Sequence, residues 1–304
     1  MMYILLLVGF VLLIKGADYF VEASSSVAKS LRVPSIIIGL TIVAFGTSAP
    51  ELAVSVTAAM EGNNDIAVGN VIGSNLFNLL VVLGACGLIL PIKVKLRWDY
   101  FATVIVTVVL AVLIGFDLKL GRADGILLLL LFLVFIGMTV RDALVNRIQS
   151  NEEFEVLSPL RCVVYIIGGL AAIVFGGDLV VDNASKIAAS FGLSQNLIGL
   201  TIVALGTSLP ELVTSVVASR KGENGLAIGN VIGSNLFNIL MVLALSAAIS
   251  PITINPLSVQ DTILLLVATV ITLILCRRKN EISRMDGAVM VGMYVAYMVF
   301  IIVR

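Results

Sequence analysis

One segment of this chain occurs twice. IGLTIVAFGTSAPELAVSV at 38–56 returns as IGLTIVALGTSLPELVTSV at 198–216, and GNVIGSNLFN at 69–78 returns unaltered at 229–238, always 160 residues further on. Self-similarity at a fixed offset constrains architecture more than any local motif, because it prescribes two copies of one unit. The identity is uneven. Between 36–92 and 196–252 it holds at 35 of 57 positions, but between 3–35 and 163–195 at only 7 of 33. Uniform drift after a duplication would not leave that gradient, so something specific restrains the middle of each unit. The restrained residues include polar ones, which makes packing alone a weak explanation.

Hydropathy says what the units are made of. The chain is 60% hydrophobic and 12% charged with a mean hydropathy of +1.13, and the charged share is about half that of a soluble domain. Runs long enough to cross a bilayer core, about 20 apolar residues each, are predicted at 2–20, 35–60, 66–90, 99–117, 123–141, 162–181, 195–219, 226–250, 259–276 and 286–303. The first is expected to stay as a helix, since no Lys or Arg precedes it and no small-residue cleavage site follows. The longest connection, 142–161, carries Asp142, Arg147, Glu152, Glu153, Glu155 and Pro159 and reads as a polar hinge between residues 1–141 and 162–304. Five is an odd number of crossings, so the second unit must enter the membrane in the opposite sense to the first. The expected fold is therefore an all-α membrane protein of ten transmembrane helices arranged as two inverted five-helix repeats. Such repeats with interrupted spans point to a secondary transporter whose site lies near the midplane. Lys and Arg divide 14 against 4 between the loops of the two sides, with Lys15 inside the first span. The richer side faces the cytoplasm, which predicts a multi-pass cell-membrane protein with both termini outside and the hinge inside.

Other residue types narrow the chemistry. The 19 basic and 19 acidic residues balance, so no basic surface is available for nucleic acid. There is no histidine, which removes HExxH zinc sites, Ser/His dyads and imidazole relays. Cys86, Cys162 and Cys276 lack CxxC spacing and read as small hydrophobes. Neither an enzyme nor a resident cofactor is expected.

The repeated residues suggest a cation site. Pro50 and Pro210 should break their helices, because each lacks an N–H and crowds the carbonyl four residues back, at Gly46 and Gly206. Broken backbone is tolerated in a membrane only where protein or a water-filled cavity satisfies it, so the carbonyls of Ala44 to Thr47 and Ala204 to Thr207 become candidate ligands. Glu51 and Glu211 follow the prolines, at a depth where an acidic side chain costs roughly 2.5–3.5 kcal/mol. No Lys or Arg lies near them in the repeated helices, so a cation from solution is the better partner. Thr47 and Ser48 stand four and three residues before Glu51, as Thr207 and Ser208 do before Glu211, a spacing that places hydroxyl and carboxylate on one helical face. Asn70, Ser74 and Asn78, and likewise Asn230, Ser234 and Asn238, form polar stripes of period four. Gly69 and Gly73, with Gly229 and Gly233, give GxxxG pairs suited to close helix approach. Carboxylate, amide, hydroxyl and carbonyl oxygens without sulfur or imidazole suit hard cations such as Ca2+ and Na+. Two ionised glutamates are neutralised by one Ca2+ or by two or more Na+. Two bidentate carboxylates and two carbonyls would give six oxygens, the low end of the calcium range.

GTSAPE and GTSLPE, each with GNVIGSNLFN, resemble the two alpha repeats of the sodium/calcium exchanger family within the cation/calcium antiporter superfamily. The resemblance extends over the whole chain and implies a ten-helix inverted-repeat fold that moves calcium against sodium. It further implies alternating access by sliding of the first and sixth helices against a fixed core. Carried onto this chain, it gives calcium to Glu51, Glu211 and the carbonyls of Thr47 and Thr207. Sodium would use Ala44, Ser48, Ser74, Asn78, Ala204, Ser208, Ser234 and Asn238. Potassium-dependent relatives carry aspartate where this chain has Asn238, so the resemblance leans against potassium dependence. A proton-coupled antiporter is the alternative, although that branch usually lacks the GSN sequence and often uses histidine. A passive channel could present the same oxygens, whereas an intramembrane hydrolase lacks its Asp pair or Ser/His dyad.

Overall fold

A computed structural model describes residues 1–94, 97–147, 156–192 and 204–303. Lys95, residues 148–155 of the hinge, residues 195–203 of the expected seventh span and Arg304 lie outside the described residues. The first unit contains α1 (Met2–Leu31), α2 (Ser35–Thr47), α3 (Ala49–Met60), α4 (Asn64–Ile89), α5 (Trp98–Asp117) and α6 (Arg122–Val145). The second contains α7 (Pro159–Ser190), a helical turn at Ala204–Gly206, α8 (Leu209–Arg220), α9 (Asn224–Ile249), α10 (Pro256–Lys279) and α11 (Arg284–Val303).

Among the described residues eight helices are long and apolar enough to cross a membrane, and α2 with α3, bent by 49°, makes a ninth. This is an all-helical, multi-pass membrane protein. Its outer helices expose large apolar side chains, such as Ile105, Leu133, Ile167 and Val295, which lipid accepts at no cost. α1 is longer than expected from hydropathy, running on past Lys15, Asp18 and Glu22 to Leu31. Asp18 and Lys29 are tolerated because each is paired with a residue of the second unit. Lys221 Nζ lies 3.3 Å from Asp18, Lys29 lies 3.9 Å from Glu223, and Ser25 donates to Glu223. At the start of α5, Arg97 pairs with Asp99 and with Asp142 of α6.

Hydropathy and spacing predict no β structure, yet four two-residue strands occur among the described residues. Ile92–Lys93 pairs antiparallel with Glu281–Ile282, and Lys119–Leu120 with Ile252–Thr253. Each pair clips a loop of one unit to a loop of the other, satisfying backbone groups that helices leave open where the chain turns.

Packing divides the helices into two groups. α1 and α7 meet backbone to backbone: a Cβ on Gly16 would stand 2.7 Å from the Gly169 carbonyl, and one on Gly9 2.9 Å from that of Gly176. The register, with 9 opposite 176 and 16 opposite 169, makes these helices antiparallel. α4 and α9, the two copies of the most repeated segment, are the most buried spans. Gly229 and Gly233 of α9 approach α2 closely, with added Cβ atoms at 2.5 Å from the Ile36 carbonyl and 2.8 Å from that of Leu40. Among the described residues Gly69 and Gly73 meet no neighbour within 4 Å of an added Cβ, and residues 195–203, most of the segment that would correspond to α2 in the second unit, lie outside the described residues.

Candidate cation-binding site

Both proline segments break. Between α2 and α3, Ser48 leaves helical geometry at ψ 9°, and Ser208 does the same at ψ 5° ahead of α8. Each proline then occupies the first turn of the new helix, where a missing N–H costs nothing, with the glutamate in the same turn. Negative charge is favoured at that helix end. The two breaks are not identical. Ser48 N–H reaches the Ala44 carbonyl at 3.0 Å, whereas Ser208 N–H turns to Leu205 at 3.3 Å. α4 and α9 each contain a π-helical turn, Asn78–Val82 and Asn238–Leu243, and α2 contains one at Gly39–Val43. Such wide turns re-aim side chains and recur at functional positions.

Glu51 and Glu211 are completely buried. Their partners cross between the copies. Ser208 Oγ donates to Glu51 Oε1 at 3.2 Å and Ser48 Oγ to Glu211 Oε1 at 2.8 Å. Spacing along one continuous helix places Ser48 beside Glu51. The break at Ser48 instead turns its hydroxyl to the other unit. Ser74 Oγ is 3.4 Å from Glu51 Oε1. The remaining oxygens, Glu51 Oε2 and Glu211 Oε2, are buried without a hydrogen-bond partner. Among the described residues the ion pairs all lie elsewhere. A buried carboxylate oxygen without a donor is costly unless a cation reaches it, so these two atoms mark where a cation fits.

A supporting frame repeats in both units, its amide bonds inside each unit and its threonine contacts between them. Asn70 Nδ2 donates to Ser55 Oγ at 2.8 Å and to the Glu51 carbonyl at 3.2 Å, and Asn230 Nδ2 donates to Ser215 Oγ at 2.9 Å and to the Glu211 carbonyl at 3.4 Å. Thr47 Oγ1 lies 3.0 Å from Asn230 Oδ1, and Thr207 Oγ1 lies 3.4 Å from Asn70 Oδ1. The first residue of each polar stripe thus braces a glutamate-bearing helix. Ser234 Oγ is 3.5 Å from Asn230 Oδ1. Asn78 and Asn238 are buried, with both amide atoms of Asn78 and the Oδ1 of Asn238 unpartnered. Ala44 is buried just ahead of the first break, and Ala204 begins the helical turn before the second. One oxygen of each carboxylate accepts from a serine of the other copy and keeps a second lone pair, and the other oxygen is open.

Two features escaped the sequence reading. Asn75 and Asn235 exchange side-chain to backbone bonds across the copies at 3.2 and 3.1 Å. They fall off the period-four stripe, and only their place inside the repeated decapeptide marked them. A cavity of about 640 Å³ is lined by Pro50, Thr207 and Pro210 together with Asp178 and Asp182 of α7. An acidic pair four apart on an otherwise apolar helix was a visible signal for that vestibule.

A sequence profile described as sodium/calcium exchanger protein matches residues 1–141 and 162–303. The inner membrane protein YrbG of Escherichia coli is 37% identical over 97% of this chain and 94% of its own length. The sodium/calcium exchanger MaX1 of Methanosarcina acetivorans is 32% identical over 98% of this chain and 97% of its own. Among solved structures, the sodium-calcium exchanger NCX_Mj soaked with 2.5 mM Na+ and 0.1 mM Ca2+ superposes with a TM-score of 0.84 at 32% identity, covering 96% of each chain.

Proposed function

The chain belongs to the sodium/calcium exchanger protein family, and from that premise we propose that this cation/calcium antiporter exchanges Ca2+ for Na+ by alternating access at the Glu51–Glu211 site. The observation that carries the reading is the pair of buried carboxylates, each bonded to the serine of the other copy and each keeping one oxygen without a donor. Calcium takes Glu51, Glu211 and the carbonyls of Thr47 and Thr207. Sodium takes Ala44, Ser48, Ser74, Asn78 and their counterparts Ala204, Ser208, Ser234 and Asn238. Mutual exclusion at shared oxygens makes the loaded site cheap to carry and the empty one costly, as coupled exchange requires.

The architecture proposed with it is ten spans in two inverted five-helix units, 1–141 and 162–304, joined by a cytoplasmic hinge at 142–161, with both termini outside. The antiparallel register of α1 and α7, the first helices of the two units, supports the inversion. The acidic vestibule lies against Pro50 and Pro210, the residues just before the two glutamates. Labelling single cysteines from outside intact cells, in a cysteine-free background, is expected to modify the exposed position 119 and spare position 150. The reverse pattern would overturn the orientation.

Ion choice is tested in proteoliposomes. Calcium-loaded vesicles are expected to release calcium only when sodium or calcium is outside, whereas a channel leaks regardless. Sodium-loaded vesicles should take up calcium equally with and without potassium, because Asn238 cannot ionise and no further fixed charge needs neutralising. A proton gradient alone should drive no uptake. Protons reach only the glutamates, and protonation removes the charge that holds the cation. Full uptake with protons alone would establish the proton-coupled alternative.

A further inference from the structure

Asn75 and Asn235 follow the site serines Ser74 and Ser234 and face each other across the two copies. Asn75 Nδ2 donates to the Asn235 carbonyl at 3.2 Å, and Asn235 Nδ2 donates to the Asn75 carbonyl at 3.1 Å. A backbone carbonyl only accepts, so each amide must meet it with nitrogen. That fixes the flip of both side chains and leaves their Oδ1 atoms for other partners. Asn75 Oδ1 lies 3.1 Å from Asn238 Nδ2. Because Asn75 offers only an acceptor there, Asn238 must present its NH2 group, and its own Oδ1 is left buried and unpartnered.

We propose that Asn75 is a positioning residue for ion binding, holding the Asn238 amide in the one orientation that gives the cation an oxygen rather than an N–H. The proposal rests on the reading of Asn238 as a sodium ligand. An amide presents opposite partial charges at nearly the same place in its two flips, so an untethered one would oppose a cation in one of them. The second copy does not build the same clamp. Asn235 Oδ1 has no partner and neither does either amide atom of Asn78. That asymmetry supplies an internal control, since Asn75 and Asn235 make the same kind of backbone bond but only Asn75 also holds an amide of the site.

The test is sodium-driven calcium uptake by the full chain in proteoliposomes, reading the half-saturating sodium concentration separately from the maximal rate. Asn75→Leu is expected to raise half-saturating sodium about tenfold, the low end of what is lost when a partner that orients a metal ligand is removed. Asn235→Leu should leave it unchanged. In an Asn238→Asp background, where oxygen stands at both positions, Asn75→Leu should shift the sodium dependence less than about twofold from Asn238→Asp alone, since orientation no longer matters. Equal shifts for Asn75→Leu and Asn235→Leu, or a shift that persists beside Asn238→Asp, would reveal a packing role and overturn the proposal. Asn75→Ala replaces Asn75→Leu if the larger side chain prevents folding. Asn238→Leu separates the two ideas. A wild-type sodium dependence there removes Asn238 from the ligands, and the clamp with it. A shifted dependence there with an unshifted Asn75→Leu removes the clamp alone.

Discussion

Replacing either Glu51 or Glu211 by glutamine is expected to abolish calcium transport in protein that is still inserted and folded. Each substitution removes half of the negative charge of the repeated helices at the site and a buried oxygen that lacks any other partner. The loss should exceed about 100-fold, since removing even a group that merely supports a metal ligand costs roughly 10–100-fold in affinity. Folding should survive, because glutamine keeps the shape and still offers an oxygen to Ser208 or Ser48. Burying a neutral amide is also cheaper than burying a carboxylate. Sodium-driven calcium uptake at matched reconstituted density is the measurement. Near-native uptake by either variant would show that the two carboxylates do not carry the cation.

The second large effect is expected at the contact of α1 with α7. A valine at position 16 must place its Cβ where the Gly169 carbonyl stands at 2.7 Å, and that atom is backbone, which cannot rotate away. The helices must separate along their length, because Gly9 and Gly176 hold the other end of the same seam. Overpacking of this kind costs typically about 1–3 kcal/mol, equivalent to roughly 5–150-fold in an equilibrium between conformations. Gly16→Val should therefore slow transport by at least about fivefold and lower the melting temperature, from the same 1–3 kcal/mol. Gly168→Val, one position from the seam and with no neighbour within 4 Å of an added Cβ, should be neutral in both measurements. If the two variants behave alike, backbone contact between these helices is not what transport depends on.

Much of this molecule was legible in its sequence, and the reason is the bilayer. A span of hydrocarbon forces about 20 apolar residues per helix, so nine of the ten predicted runs fall on described helices, with α1 and α7 running on well past theirs, and the described part of the other, 195–219, is helical at Ala204–Gly206 and from Leu209. The helix breaks before Pro50 and Pro210 follow from the missing N–H. The buried position of Glu51 and Glu211 follows from their place inside apolar runs. What could not be read is who meets whom across the copies. Spacing relates Ser48 to Glu51 only if the helix continues between them, and the break that proline predicts is what voids the relation. The length of α1 was also hidden, since Asp18 and Lys29 look like the end of a span until their partners Lys221 and Glu223, roughly 200 residues away, are seen beside them. The π-helical turns have no residue signature, and Asn75 lay outside the periodicity that singled out its neighbours.

The crossed bonds between serine and glutamate also explain why the two copies have not diverged where they might have. A unit standing alone would contain an acid whose donor is encoded 160 residues away, so each half of the gene supplies what the other half's product lacks. A change at Ser208 is felt at Glu51, and a change at Ser48 at Glu211, which ties the two middles to a common fate while α1 and α7 drift apart. On the inverted architecture proposed above, a half-length ancestor would have worked as a pair of molecules lying in opposite senses in the membrane. Separately expressed halves of the present chain should then complement one another in trans, whereas neither half should move ions without the other.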